Sequence, residues 1–226
     1  MTTKYKTKGF VFKKDDKGES DRVFSVFTDD FGRLEIVGKA ARKINSKLRS
    51  SLDLFYLSEI EFIQGKNQKT LTNAIAIKKI PADDNLFQIS SILDNFIKGE
   101  EKDSQTFILL QEIFEKMHQH EMAHHYFAWN FLANQGYCPE VSECASCKDK
   151  LSPYCLYFSC REGGVICRGC SIKDKEALKI NSDVVKILRI ILKKDWQTVS
   201  KLKVELSSQK LFEKTLQMAV RSFCPI

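Results

Sequence analysis

Seven of the eight cysteines fall between residues 138 and 170, and four of these form two C-x-x-C pairs, Cys144-Ala-Ser-Cys147 and Cys167-Arg-Gly-Cys170, separated by 19 residues. That spacing lies within the range of a four-thiolate zinc site. Each pair makes a tight turn that aims two sulfurs at one point, and a hairpin between the pairs completes a tetrahedron with Zn–S bonds of about 2.3 Å. Tyr157-Phe158-Ser159 and the Gly163-Gly164 turn suit that hairpin. Four protein ligands leave no position for water, so the expected metal is one structural Zn²⁺ per chain, held by Cys144, Cys147, Cys167 and Cys170. Disulfides would need an oxidising compartment, to which nothing here points. Cys138, Cys155, Cys160 and Cys224 have no partner at ligand spacing, and are expected to be small buried hydrophobes.

Ahead of the cysteines the hydrophobic period changes once. Segments 8–13, 22–28, 33–38, 53–63 and 70–80 are rich in aromatic and β-branched residues and alternate apolar with polar, as in Phe10/Phe12, Leu34/Ile36, Leu54/Tyr56 with Ile60/Phe62, and Ile75/Ile77. Alternation places those side chains on one buried face of a pleated ribbon. Turn residues join the segments at Asp15–Gly18, Asp29–Gly32 and Gly65–Asn67. Five short strands suit a small barrel, because closure removes exposed edges. Residues 39–49 are too basic for a core, and are expected as a surface loop or short helix. After Pro81 the spacing becomes helical: Leu86, Ile89, Leu93, Phe96 and Ile97, then Phe107, Leu110, Phe114 and Met117 with Ser104 as cap, then a helix from about Glu121 to Gly136, one capped by Ser182, and a terminal one through Phe212 and Phe223.

Charge follows the same division. Residues 1–80 carry 17 Lys and Arg against 10 Asp and Glu, whereas residues 81–226 carry 19 of each, so the whole net charge of +7 resides in the first segment. A basic module facing a polyanion, joined to a neutral one, is the pattern of a nucleic-acid-binding protein. No apolar run approaches the ~20 residues of a membrane span. The leading MTTKYKTKGFVF lacks a signal-peptide core, so the expected location is the cytoplasm, with no membrane partner.

His120-Glu121-Met122-Ala123-His124 matches H-E-x-x-H, which on a helix sets two imidazoles beside a general base, as in a zinc metallopeptidase. Gly136 and Pro139 interrupt any helix that would return Glu143 as a third ligand, and all four histidines (118, 120, 124 and 125) crowd into one polar stretch. They are expected as exposed residues at a helix start. No phosphate-cradling, nucleophile-elbow or dinucleotide loop is present, so the chain is not expected to be an enzyme.

These residues, in order, resemble the RecO family of bacterial recombination and repair mediators. The resemblance runs through Gly18-Glu19-Ser20-Asp21, Thr28 with Gly32, and Ala41-Arg42-Lys43 with Ser46 and Leu48. It continues through Gly136-Tyr137-Cys138-Pro139, the first C-x-x-C, Phe158-Ser159, Gly163-Gly164 and the second C-x-x-C. Departures are Val37-Gly38-Lys39-Ala40, where the family more often has A-R-G, and Lys148, where Gly commonly follows the second cysteine. The resemblance implies an α+β protein, with an OB-fold barrel over residues 1–80 and an α-helical domain over 81–226 bearing the zinc-binding insert at about 138–172. It implies binding of single- and double-stranded DNA, annealing of complementary strands, and, with RecR, assistance to RecA in replacing single-stranded-DNA-binding protein, whose acidic C-terminal tail would dock on the helical domain. On such a barrel, phosphate contacts are expected first from Lys39, Arg42, Lys43, Lys47 and Arg49, then from Arg22 and Lys8, with strand-borne aromatics for base stacking. The competing readings are a metallopeptidase using His120, Glu121 and His124, and a zinc-stabilised scaffold without a direct DNA role.

Overall fold

The computed structural model describes residues 3–117 and 120–224, apart from the side chains of Arg49, Lys116 and Met117. The chain forms two compact units, Met1–His118 and Gln119–Ile226. In the first, strands β1 (Lys4–Lys17), β2 (Asp21–Thr28), β3 (Gly32–Gly38), β4 (Tyr56–Gln64) and β5 (Lys69–Lys79) close into a barrel in the order β1-β2-β3-β5-β4. All pairings are antiparallel except β3 with β5. Closure depends on β1, which pairs with β4 from Lys4 to Phe10 and with β2 from Gly9 to Lys17. At the overlap sits Gly9, where a Cβ would lie 2.4 Å from Val26 Cγ1, closer than real atoms approach. The β2–β3 turn is fastened by Thr28, whose hydroxyl donates to Gly32 O (2.9 Å) and accepts from Phe31 N–H (3.1 Å).

Inside the barrel lie Val11, Phe24, Val26, Leu34, Ile36, Leu52, Ile60, Phe62, Leu71 and Ala74, joined by Ala41 from the basic loop. Three expectations change here. Ile75 and Ile77 are half exposed, because bulges against β4 shift the alternation of β5 and turn Leu71 and Ala74 inward. Leu54 and Tyr56 are only half-buried. Phe10 and Phe12 are buried, but they flank the inward Val11, and the ring of Phe10 lies 4.0 Å from that of Phe114. The barrel wall is thus covered on both faces here, and the compact unit extends past the strands.

The cover is built from α1 (Asp84–Phe96), capped by Asp83, and α2 (Ser104–Glu112), which widens into a π-helical turn over Ile113–Met117. Asp103, not Ser104, caps α2, accepting from Thr106 N–H (3.0 Å). Lys78 Nζ donates to Phe114 O (2.7 Å) within the widened turn. Arg33 clamps the far end of α1. Its guanidinium donates to Asp94 O (3.2 Å) and Ile97 O (2.9 Å), pairs with Asp94 Oδ1 (2.9 Å), and lies 5.2 Å from the centre of the Phe12 ring.

The second unit is built around α3 (Ala123–Asn134), buried on nearly all sides until Gly136, at φ +91°, closes it. Beside it are a three-stranded sheet, β6 (Leu156–Ser159), β7 (Gly164–Cys167) and β8 (Leu178–Ile180), in the order β7-β6-β8, and the short α4 (Arg168–Ser171). Helices α5 (Ser182–Leu192), α6 (Trp196–Val199) and α7 (Leu206–Phe223) complete it. Asn181 rather than Ser182 caps α5. The buried Asn130 donates to Tyr126 O and Ile191 O, tying α3 to α5. No helix among the described residues is long and apolar enough to cross a membrane.

Arg33→Ala should lower the free energy of urea unfolding by about 2–3 kcal/mol, since it removes the donor to Ile97 O, leaves Asp94 O to Lys98 and leaves the Asp94 carboxylate with Lys13 alone. Burial pushes the Asp94 carboxyl up, but the hydrogen bonds from Lys13 and Arg33 outweigh it and hold it below the usual carboxylate range. This stabilisation is therefore complete above about pH 4 and is lost as pH falls through the depressed value. Urea titrations of the Ala variant should show a shallower acid loss than those of the wild type.

Candidate metal centre and basic rim

The four sulfurs of Cys144, Cys147, Cys167 and Cys170 lie within 4.8 Å of one another. Tetrahedral bonds of ~2.3 Å require sulfur–sulfur edges of ~3.8 Å, and Cys147 Sγ stands 3.8 Å from Cys167 Sγ. The first pair turns back on itself through the Lys148 N–H to Cys144 O bond (2.9 Å), which places Lys148 at φ +64°. A glycine at this position would adopt that conformation without strain. Cys167 ends β7 and Cys170 lies on α4, so strand and helix present the second pair.

The two halves are joined by main-chain bonds: Glu140 N–H to Gly163 O, Val165 N–H to Glu140 O and Ala145 N–H to Val165 O. A Cβ on Gly164 would lie 2.3 Å from Glu140 O, so only glycine permits this approach. The buried Ser159 braces the hairpin, donating to Asp174 and accepting from Glu162 N–H. Cys144 is fully buried, which raises its pKa, yet amide N–H groups of Cys147, Cys167 and Ser146 outweigh burial and bring its thiol down to about 6. The arrangement can hold a metal ion. Of the other cysteines, Cys138 is exposed and Cys155, Cys160 and Cys224 are half-buried, so none is the buried hydrophobe expected.

The H-E-x-x-H reading fails on geometry. Helix α3 begins at Ala123, leaving His120 and Glu121 outside it. His120 Nε2 lies 3.2 Å from Ser200 O, and its ring meets Trp196 edge-on. His118 lies outside the described residues. His124 and His125, expected at the surface, are buried at 8% and 7% exposure, with both Nε2 atoms directed at Glu213 on α7. Burial, then the neighbouring His124, pushes His125 down to about 3, so its imidazole stays neutral. Glu213 is 88 positions beyond His125, and no local pattern in the sequence joins them.

The basic residues of the barrel form a braced rim. Asp21 accepts from Lys39 Nζ (2.8 Å) and Ala40 N–H (2.9 Å), both of which hold its carboxyl below the usual range. Arg42 donates from its backbone to Ser20 O (3.0 Å) and from its guanidinium to Gly18 O (2.9 Å). Asp16 pairs with Arg22 at 2.9 Å and with Arg42 at 3.4 Å. Lys43 and Lys47 are exposed and make no ion pair among the described residues; Lys8 is exposed on β1. The side chain of Arg49 lies outside the description. Lys39–Ser46 is turn, followed by a single 3-10 turn over Lys47–Ser50. The expected stacking aromatics are sparse. Phe10, Phe12, Phe24, Phe27 and Phe62 are buried, while Tyr5, Phe31 and Tyr56 remain partly accessible.

Comparison with known proteins covers both parts of the chain. The family described as "Recombination protein O N terminal" matches residues 1–80, and "Recombination protein O C terminal" matches residues 87–222. The DNA repair protein RecO of Dehalococcoides mccartyi strain CBDB1 is 32% identical over 228 residues, covering 96% of this chain and 88% of its own. The proteins of the same name from Alkaliphilus metalliredigens and Halalkalibacterium halodurans are 27% and 25% identical, covering 95% and 89% of this chain and 92% and 82% of their own.

Cys144→Ser should weaken metal binding by at least ~100-fold, beyond the 10- to 100-fold typical of supporting residues. With cobalt as probe, the thiolate-to-metal absorption should disappear. Limited proteolysis should then cut between residues 138 and 180 and leave the barrel intact, because structural metal binding is coupled to local folding.

Proposed function

The chain belongs to the RecO family, and on that premise we propose that it is a DNA-binding mediator of recombinational repair that anneals complementary single strands. With RecR, it would help RecA replace single-stranded-DNA-binding protein on the strand. It would bind single- and double-stranded DNA through the barrel rim, engage the acidic tail of single-stranded-DNA-binding protein through the helical domain, and work in the cytoplasm. It would break no covalent bond.

The observation that carries this reading is the fixed loop 39–43, which gathers cations at one edge of a closed barrel. Phosphates meeting this edge are screened by side chains whose backbone is already ordered, so little loop entropy is lost on binding. Lys43 and Lys47 can bind at once, whereas Lys39, Arg22 and Arg42 exchange an internal carboxylate for a phosphate; Lys8 stands beside Asp29, at the other end of β2, and is not part of this edge. With few accessible aromatics, binding is dominated by the backbone and tolerant of sequence. Two strands neutralised together no longer repel each other, and their bases remain free to pair.

The four cysteines fit a single structural zinc. The Cys147 and Cys167 sulfurs are 3.8 Å apart, the length of a tetrahedral edge, and all four lie within 4.8 Å of one another, so an ion held by them would have no open position and would supply rigidity rather than reaction chemistry.

If five phosphates are contacted, the logarithm of single-strand affinity should fall against log salt with a slope near −3.5, at ~0.7 per phosphate. The Lys43→Glu, Lys47→Glu double variant touches no internal ion pair. It should lower affinity uniformly across sequences, flatten the slope by about 1.4, and leave unfolding within about 0.5 kcal/mol of wild type. Fluorescence anisotropy across a salt series measures both; an unchanged slope would place the binding surface elsewhere.

A further inference from the structure

Within the second unit, His124 and His125 on the first turn of α3 face Glu213 on α7, well apart in sequence from the cysteine cluster. His124 Nε2 stands 3.2 Å and His125 Nε2 3.4 Å from the same atom, Glu213 Oε2, and the three ligand atoms all lie within 4.8 Å of one another. As N–H···O hydrogen bonds, one lies at the upper end of the usual 2.7–3.2 Å range and the other beyond it. As edges of a metal polyhedron they fit. Zn–N and Zn–O bonds of ~2.0–2.1 Å at the tetrahedral angle require ligand–ligand separations of ~3.3–3.4 Å.

The supporting contacts suit the same role. Gln217 Nε2 donates to the other carboxylate oxygen, Glu213 Oε1, at 2.8 Å, which leaves Oε2 directed at the imidazoles. The ring of Phe212 lies 4.7 Å from that of His125 and fixes its tilt. Partners that orient ligands in this way accompany functional metal sites. An entry path exists as well: His125 and Glu213 line a cavity of about 590 Å³, which Glu121 also lines.

We propose that His124, His125 and Glu213 form a second metal site, selective for a divalent transition ion such as Zn²⁺ or Co²⁺. Two imidazoles and one carboxylate oxygen favour such ions over Mg²⁺ or Ca²⁺, which prefer all-oxygen shells. Three protein ligands leave a coordination position facing the cavity, in contrast to the closed four-sulfur centre. The ion would join α3 to α7 and offer its remaining position to water or to an anionic ligand.

The test uses the full chain with the four-cysteine site filled with zinc, titrated with Co²⁺ alone. The expected result is one further cobalt per chain, with visible d–d absorption and none of the thiolate-to-cobalt charge transfer of a sulfur site. Glu213→Gln keeps an oxygen that accepts imidazole N–H groups but is a poor metal ligand. It should weaken that second equivalent by more than ~100-fold, whereas without metal it should stay folded and lose only the stability that the ionised carboxylate gains from His124. Wild-type stoichiometry requires no variant, and His124→Asn provides a second one. Saturation with no second equivalent, cobalt entering only by displacing zinc from sulfur, or equal affinity in wild type and in Glu213→Gln would each overturn the proposal.

Discussion

A single strand that hydrogen-bonds along both edges determines the architecture of the first unit. Strand β1 closes the barrel only because its fourteen residues reach β4 with one half and β2 with the other. At the crossover Gly9 leaves room for the Val26 and Thr28 side chains of β2. What lies beyond the crossover decides the surface. The far end of β1 carries Asp16 and leads into the Gly18–Asp21 turn, and it is to these residues that the basic loop is fastened. Barrel closure and cation placement are therefore one structural event.

The rim shows how a protein keeps cations at an edge without letting them disperse the chain. Each acid that neutralises a base there also orders backbone: Asp21 holds both a lysine and an amide, and Asp16 draws together two arginines from different segments. Exposed pairs of this kind contribute little stability, with a median of ~0–1 kcal/mol. Their effect is geometric, and a phosphate can displace them at small cost. The two clusters of metal-binding type in the second unit contrast in the same terms. Four sulfurs would enclose an ion completely, whereas two imidazoles and a carboxylate would leave it a face towards a cavity.

Much of this was legible in the residues. Alternation located five strands, turn residues located their connections, the change of period at Pro81 located the first helix, and the cysteine spacing located four sulfurs that do converge. The failures have physical causes. A bulge is invisible in a pattern of alternation, so Ile75 and Ile77 were assigned to the wrong face. Alternation reports burial without saying which side is buried: Phe10 and Phe12 are buried as it implies, but on the outer face, where the ring of Phe10 meets that of Phe114. Caps slipped by one residue at Ser104 and Ser182, because a neighbouring Asp or Asn competed for the same role. The histidines were misjudged because polar spelling says nothing of the long-range partner Glu213. Both departures from the family pattern contain a non-glycine residue at positive φ, Ala40 at 52° and Lys148 at 64°.

The proposed role requires this braced cationic edge to bring complementary strands together. Its most direct measure is the rate at which two fluorescently labelled complementary oligonucleotides, each coated with single-stranded-DNA-binding protein, become duplex with and without this chain. With the chain present, duplex should form markedly faster, and the gain should fade as salt is raised. Equal rates with and without the chain at low salt would contradict that role.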